Sequence, residues 1–370
     1  MSNADTLDAL FDQGAIALRR SPLFDEAPGP LPSTFDFDRI EGMMLGLAIG
    51  DALGRPTEGR VPARRRQTHG EVCDYVAGRR APGGVGLPSD DTQMAFWTLE
   101  CLNRDRGFVP EHVARRFCAG SIFGMGQTVS LFRRNFKAGE PWTRCGPASA
   151  GNGALMRIAP MLIPHLRSGT EALWVDAALS AMMTHNDSSS IASCLAFVHL
   201  LRQVLEMDQP PEPRWWIQTW IDLTRPLEIH RGYRPRGGQF EGFEGALWEF
   251  VEARVLPACD DGQPAVQWCD AWYSGAYLLE TVPSVLLLLA RHGHDPEEAI
   301  VRAVNDTKDN DTVGAIVGAA VGALHGRRAL PARWIEGLSG RTTRDDDGRV
   351  FELIAEARAI WWPEAPTSGR

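Results

Sequence analysis

The chain has 370 residues, 44% of them apolar and 23% charged, with a net charge of -9. That composition belongs to a globular protein with a sizeable core, and its basic residues, bunched only at Arg64-Arg65-Arg66, form no stripe for nucleic acid. The longest apolar stretches, 285–290 and 313–324, fall well short of the roughly 20 residues that span a bilayer, so a membrane segment is not expected either.

The seven cysteines are spread along the chain without a C-x-x-C pair, a usage that fits free thiols in a reducing compartment. Asp5, Asp8 and Asp12 stand where a secretory signal has basic residues before a long apolar run. A cytoplasmic protein is expected.

In chain order, residues 1–38 carry a short amphipathic stretch (Leu7, Leu10, Phe11, Leu18) followed by Pro22, Pro28, Pro30 and Pro32. They read as an N-terminal extension, an arm rather than a core element. From Phe37 onward the periodicity is helical, as in 172–183, 191–206, 277–291 and 296–304, and strand-like alternation is absent. Asp295-Pro296-Glu297-Glu298 has the cap, proline and first-turn acids of a helix start. The expected class is all-α.

Gly42, Gly46, Gly50 and Gly54 recur every fourth residue, and so do Gly314, Gly318, Gly322 and Gly326. Each glycine inside a helix costs about 1 kcal/mol against alanine, so a close backbone approach must compensate, to another helix or to a ligand. Residues 207–270, rich in proline and tryptophan, read as an insertion on the helical frame, with 231–238 as loop.

Ser89-Asp90-Asp91 sets a hydroxyl and two carboxylates at the mouth of a helix, and Asp309-Asn310-Asp311-Thr312 repeats the arrangement far along the chain. Acids at such positions cap helices. Two such loops facing each other also offer an all-oxygen set, which hard divalent ions such as Mg²⁺ and Mn²⁺ prefer.

Five collinear stretches (46–58, Ser89 to Met94, 150–160, Thr184-His185 and 309–318) resemble the ordered motifs of ADP-ribosylglycohydrolases. The resemblance covers roughly residues 39–340 in order, within one domain expected to span 39–362. It implies an orthogonal helical bundle with a binuclear metal site, two Mg²⁺ or Mn²⁺ ions, and hydrolysis of the bond joining ADP-ribose to a protein side chain, arginine in particular. Carried over by motif, Ser89, Asp90, Asp91, Asp309, Asp311 and Thr312 are the expected ligands. Glu58, Asp90, Asp91 and Asp311 are the expected catalytic group.

Gly151-Asn152-Gly153 matches the loop that meets ribose and diphosphate, and backbone N–H groups of glycines suit phosphate oxygens. His185, Tyr277, Gly124 and Gly126 are further expected substrate contacts. Relatives have Thr where this chain has Ser89, and a different second ligand loop around Lys308 and Asn310. Within the family the resemblance is nearest to immunity proteins that accompany ADP-ribosyltransferase toxins. The arm could thus plug a cognate toxin, as the main activity or beside hydrolysis; a small ADP-ribose derivative is the other substrate the same core would suit.

Overall fold

The computed structural model describes residues 1–32, 34–77 and 84–363. Its helices of ten residues or more, numbered in chain order, are α1 (Asn3–Asp12), α2 (Asp38–Gly54), α3 (Asp90–Asp105), α4 (Pro110–Ala119), α5 (Gln127–Lys137), α6 (Ala172–Thr184), α7 (Ser188–Val204), α8 (Pro213–Thr224), α9 (Leu278–His292), α10 (Pro296–Asp306), α11 (Asn310–His325) and α12 (Arg349–Trp361). Among the described residues β pairing is limited to isolated bridges, so the chain is all-α as its periodicity predicts. Asp295 caps α10 as expected, its Oδ1 accepting from the Glu297 and Glu298 amides at 3.0 and 3.1 Å.

The glycine spacing resolves as helix against helix. α2 and α11 run antiparallel at the centre of the bundle, and Gly42, Gly46 and Gly50 lie directly against Gly322, Gly318 and Gly314. A methyl group added at any of these would overlap a backbone carbonyl of the facing helix. Only glycine permits that approach. Gly54 ends the seam against the Asp311 backbone, so close packing carries the end of α2 to the second acidic loop.

Residues 1–31, expected as an arm outside the core, are instead laid along the bundle. Leu7, Leu10, Ile16, Leu18, Phe24 and Leu31 are buried, and burying one such side chain contributes roughly 1.5–3 kcal/mol. Polar anchors fix the path. Asn186 accepts from the Ala17 amide at 2.9 Å and donates to the Ala15 carbonyl at 2.8 Å, while Arg19 N–H bonds Leu227 O at 2.9 Å. The apolar face read as an isolated amphipathic stretch has a partner in the body of the fold.

The Pro/Trp-rich stretch contributes core as well as loop: α8 buries Trp216, Ile217, Trp220 and Ile221 and packs on α7 and α9. Residues 231–238 are irregular, as predicted.

Candidate active site

The first acidic loop is held from below by a residue that the sequence reading passed over. Ser89 caps α3, and its hydroxyl donates to Asp91 Oδ2 at 2.9 Å. Asp51, fully buried on α2, accepts from the Ser89 amide, the Thr92 amide at 3.0 Å and the Thr92 hydroxyl at 2.6 Å. Its signal in the sequence is real but thin: it is the single charge in the otherwise apolar run from Met43 to Leu53.

The second loop is set by a different device. Asn152 Nδ2 donates to Asp309 Oδ2 at 2.6 Å, and Asn310 Nδ2 donates to Thr57 Oγ1 at 2.9 Å. The buried Arg65 guanidinium donates to Thr57 Oγ1 and to the carbonyls of Asn305 and Thr307, tying the turn before Glu58 to the approach of Asp309. Gly59 N–H adds a bond to Lys308 O at 3.0 Å.

Two acidic groups result. Carboxylate oxygens of Asp51, Asp91 and Asp311 lie within 4.8 Å of one another, as do those of Glu58, Asp309 and Asp311. Asp311 belongs to both. Burial, reinforced by the neighbouring carboxylates, pushes Asp90 up to about 7 and drives Asp91 and Asp311 well above the carboxylate range. Burial and the Glu58 charge raise Asp309 to about 6, and burial raises Asp51. Asp91 Oδ1 is buried with no hydrogen-bond partner. An oxygen-only donor set, an orphaned carboxylate oxygen and mutual repulsion at close range together fit a hard divalent cation.

These acids face a cleft of roughly 210 Å³. Its lining unites Glu58, Asp90, Asp91, Asp309, Asp311 and Thr312 with Gly124, Gly126, Gly151, Asn152, Gly153 and His185, residues drawn from segments far apart in sequence. Gly124 has a φ of +62° and lies against Asp90 Oδ1, a close approach in a backbone conformation that favours glycine.

Two expected site residues stand behind the lining. Ser89 is engaged with Asp91 as described. Tyr277 pairs its backbone with Gly151, and Leu278 N–H bonds Ala150 O at 2.9 Å. The Tyr277 ring is half-buried beneath Arg236, whose guanidinium carbon is 4.8 Å from the ring centre; burial pushes the phenol up to about 12. Arg236 in turn forms a bidentate pair with the fully buried Glu280, at 3.0 and 2.8 Å. This attaches the 231–238 loop to the first turn of α9.

A central glycine seam thus converges on buried carboxylates beside a glycine-walled cleft, the build of an α-helical protein with a candidate cation site. Residues 32–361 match the model of the ADP-ribosylglycohydrolase family, and the chain belongs to that family. It is 27% identical over 313 residues to the ADP-ribosylarginine hydrolase Tri1 of Pseudomonas putida, covering 81% of this chain and 74% of that protein. It is 26% identical over 341 residues to the ADP-ribosyl-[dinitrogen reductase] glycohydrolase of Rhodospirillum rubrum, covering 86% and 97%. A solved structure described as an ADP-ribosylglycohydrolase-related protein complex matches with a TM-score of 0.62 at 27% identity, over 89% of this chain and 98% of that one. Among the described residues no helix is long and apolar enough to cross a membrane.

Proposed function

We propose that the chain removes ADP-ribose from modified protein side chains, arginine foremost, using two Mg²⁺ or Mn²⁺ ions. The observation that carries this reading is the Asp311 carboxylate common to both acidic groups. Asp51, Asp91 and Asp311 would hold one ion and Glu58, Asp309 and Asp311 the other, with Ser89, Asp90 and Thr312 supplying nearby oxygens. Bound divalent ions supply charge that polarises substrate oxygens and makes water a nucleophile at neutral pH.

The chain's own residues do the rest. Glu58 is the exposed acid of its group, open to the solvent from which water enters, and it is the proposed acceptor of that water's proton. Asn152 keeps Asp309 oriented. Gly151 and Gly153 leave the space beside His185 that a sugar or diphosphate requires. The preference for arginine draws on the relative named as an ADP-ribosylarginine hydrolase.

The test is mass spectrometry of arginine-modified and serine-modified peptides incubated with the protein and Mg²⁺. Release from the arginine peptide is expected, and Asp90→Ala combined with Asp311→Ala should reduce it at least about a thousandfold. Full activity in that double variant would refute the acidic centre.

Immunity against an ADP-ribosylating toxin would follow from the same hydrolysis, by reversal of the damage. Plugging the toxin with the N-terminal arm is a different matter: a plug needs a segment free to leave, and the burial of Leu7, Leu10, Ile16 and Leu18 weighs against it. Reversal is therefore the form of the immunity role that we propose.

A further inference from the structure

Arg157 is fully buried, and among the described residues no carboxylate pairs with it. Its guanidinium lies 4.9 Å from the Phe117 ring centre and donates to Ser180 Oγ at 3.2 Å, Ser180 O at 2.9 Å and Thr184 Oγ1 at 2.8 Å. A permanent cation buried without a counter-charge is costly, so its position calls for a reason. The reason lies one bond further on. Thr184 Oγ1 is 2.9 Å from His185 Nδ1, and the opposite edge of that imidazole, Nε2 and Cε1, faces Gly151 and Gly153 in the cleft.

The direction of these bonds follows from counting protons. Arginine only donates, so Thr184 Oγ1 accepts from Arg157. The threonine hydroxyl has one hydrogen left to give, and His185 Nδ1 is the acceptor in reach. Were Nδ1 protonated instead, the fully buried hydroxyl hydrogen would be left without a partner, an unfavourable outcome for a desolvated donor. Nδ1 therefore accepts, and the ring proton sits on Nε2.

We propose that Arg157 and Thr184 are positioning residues that lock His185 as the neutral Nε2–H tautomer, so that it enters the cleft as a hydrogen-bond donor to an oxygen of the ADP-ribose. The proposal rests on the function given above for the identity of the substrate, though not for the tautomer. It also removes His185 from the choice of groups that could protonate a leaving guanidine. Burial and the Arg157 charge push the imidazole down to about 3, in line with a ring that stays neutral.

The experiment is ¹⁵N NMR of the full-length protein labelled at histidine, at pH 7 and without substrate, with His185→Gln to assign the resonance. The expected result is an unprotonated Nδ1 and a protonated Nε2; a proton on Nδ1, or a cationic ring, overturns the proposal. Thr184→Val should raise KM for an ADP-ribosylated peptide about tenfold with kcat nearly unchanged, and Thr184→Ser should restore both KM and the tautomer. An unchanged KM in Thr184→Val, or no rescue by serine, overturns it equally. Because the spectrum is read without substrate, it decides the tautomer even if no ADP-ribosyl bond is cleaved.

Discussion

The two walls of the cleft solve opposite electrostatic problems. On one, five aspartates are buried or nearly so, and each is pushed above its ordinary range by lost hydration and most by one another's charge. Behind the other, Arg157 is buried with no carboxylate partner among the described residues, and it reaches the cleft through Thr184 and His185, the latter with its imidazole pushed down by burial to about 3. Carboxylates this close are unstable as a set unless something positive joins them; a buried guanidinium suits a wall that meets a negative ligand.

Chelation is the strongest way to break the comparison. If the acidic wall is a cation site, EDTA should abolish hydrolysis, Mn²⁺ or Mg²⁺ should restore it, and neither treatment should change the ¹⁵N signature of His185. Loss of activity together with a change of tautomer would show that the two walls are not independent. The readout is peptide release, measured beside the spectrum.

The next effect is on stability, and its sign is unusual. Asp90 and Asp309 have folded-state values near 7 and 6 against 3.8 for the free side chain, so the folded protein holds their protons more tightly than the unfolded chain does. The stabilisation they contribute is complete below about 3.8 and is lost as pH rises through 6 and 7. Chelated protein should therefore melt at a lower temperature at pH 8 than at pH 5, judged at constant ionic strength. Saturating divalent ion should raise the melting temperature most at pH 8. A chelated protein more stable at pH 8 than at pH 5 would contradict the assigned burial of these acids.

Much of this contrast was legible in the sequence, but unevenly. The acid pairs announce themselves because each sits at a helix start and carries its neighbours in a local motif, and the glycine seam is visible as a four-residue period on two helices. Asp51 was missed because its role depends on the Ser89 and Thr92 amides, 38 and 41 positions away, which no local pattern predicts. Arg157 lay inside a recognised motif, yet its meaning depends on Thr184 and on having no carboxylate partner among the described residues. The packing of the N-terminal stretch was not legible for a related reason. An amphipathic face is visible in the sequence, whereas the surface that covers it, including Asn186 and Leu227, is assembled only in the fold.

The smallest expected effect is the finest probe of the cationic wall. A β-carbon at Gly153 would stand 3.0 Å from His185 Cε1 and 3.2 Å from Nε2, tighter than ordinary packing, so the imidazole must tilt by a few tenths of an ångström. No backbone atom is in the way and Gly153 has no positive φ, which leaves the fold with little reason to respond. Gly153→Ala should thus raise KM about threefold to tenfold, with kcat and melting temperature close to wild type. The same change in a Thr184→Val background should add less than it does alone, because both substitutions act on one imidazole. Full additivity would mean that Gly153 serves the substrate directly and that His185 is not the shared element.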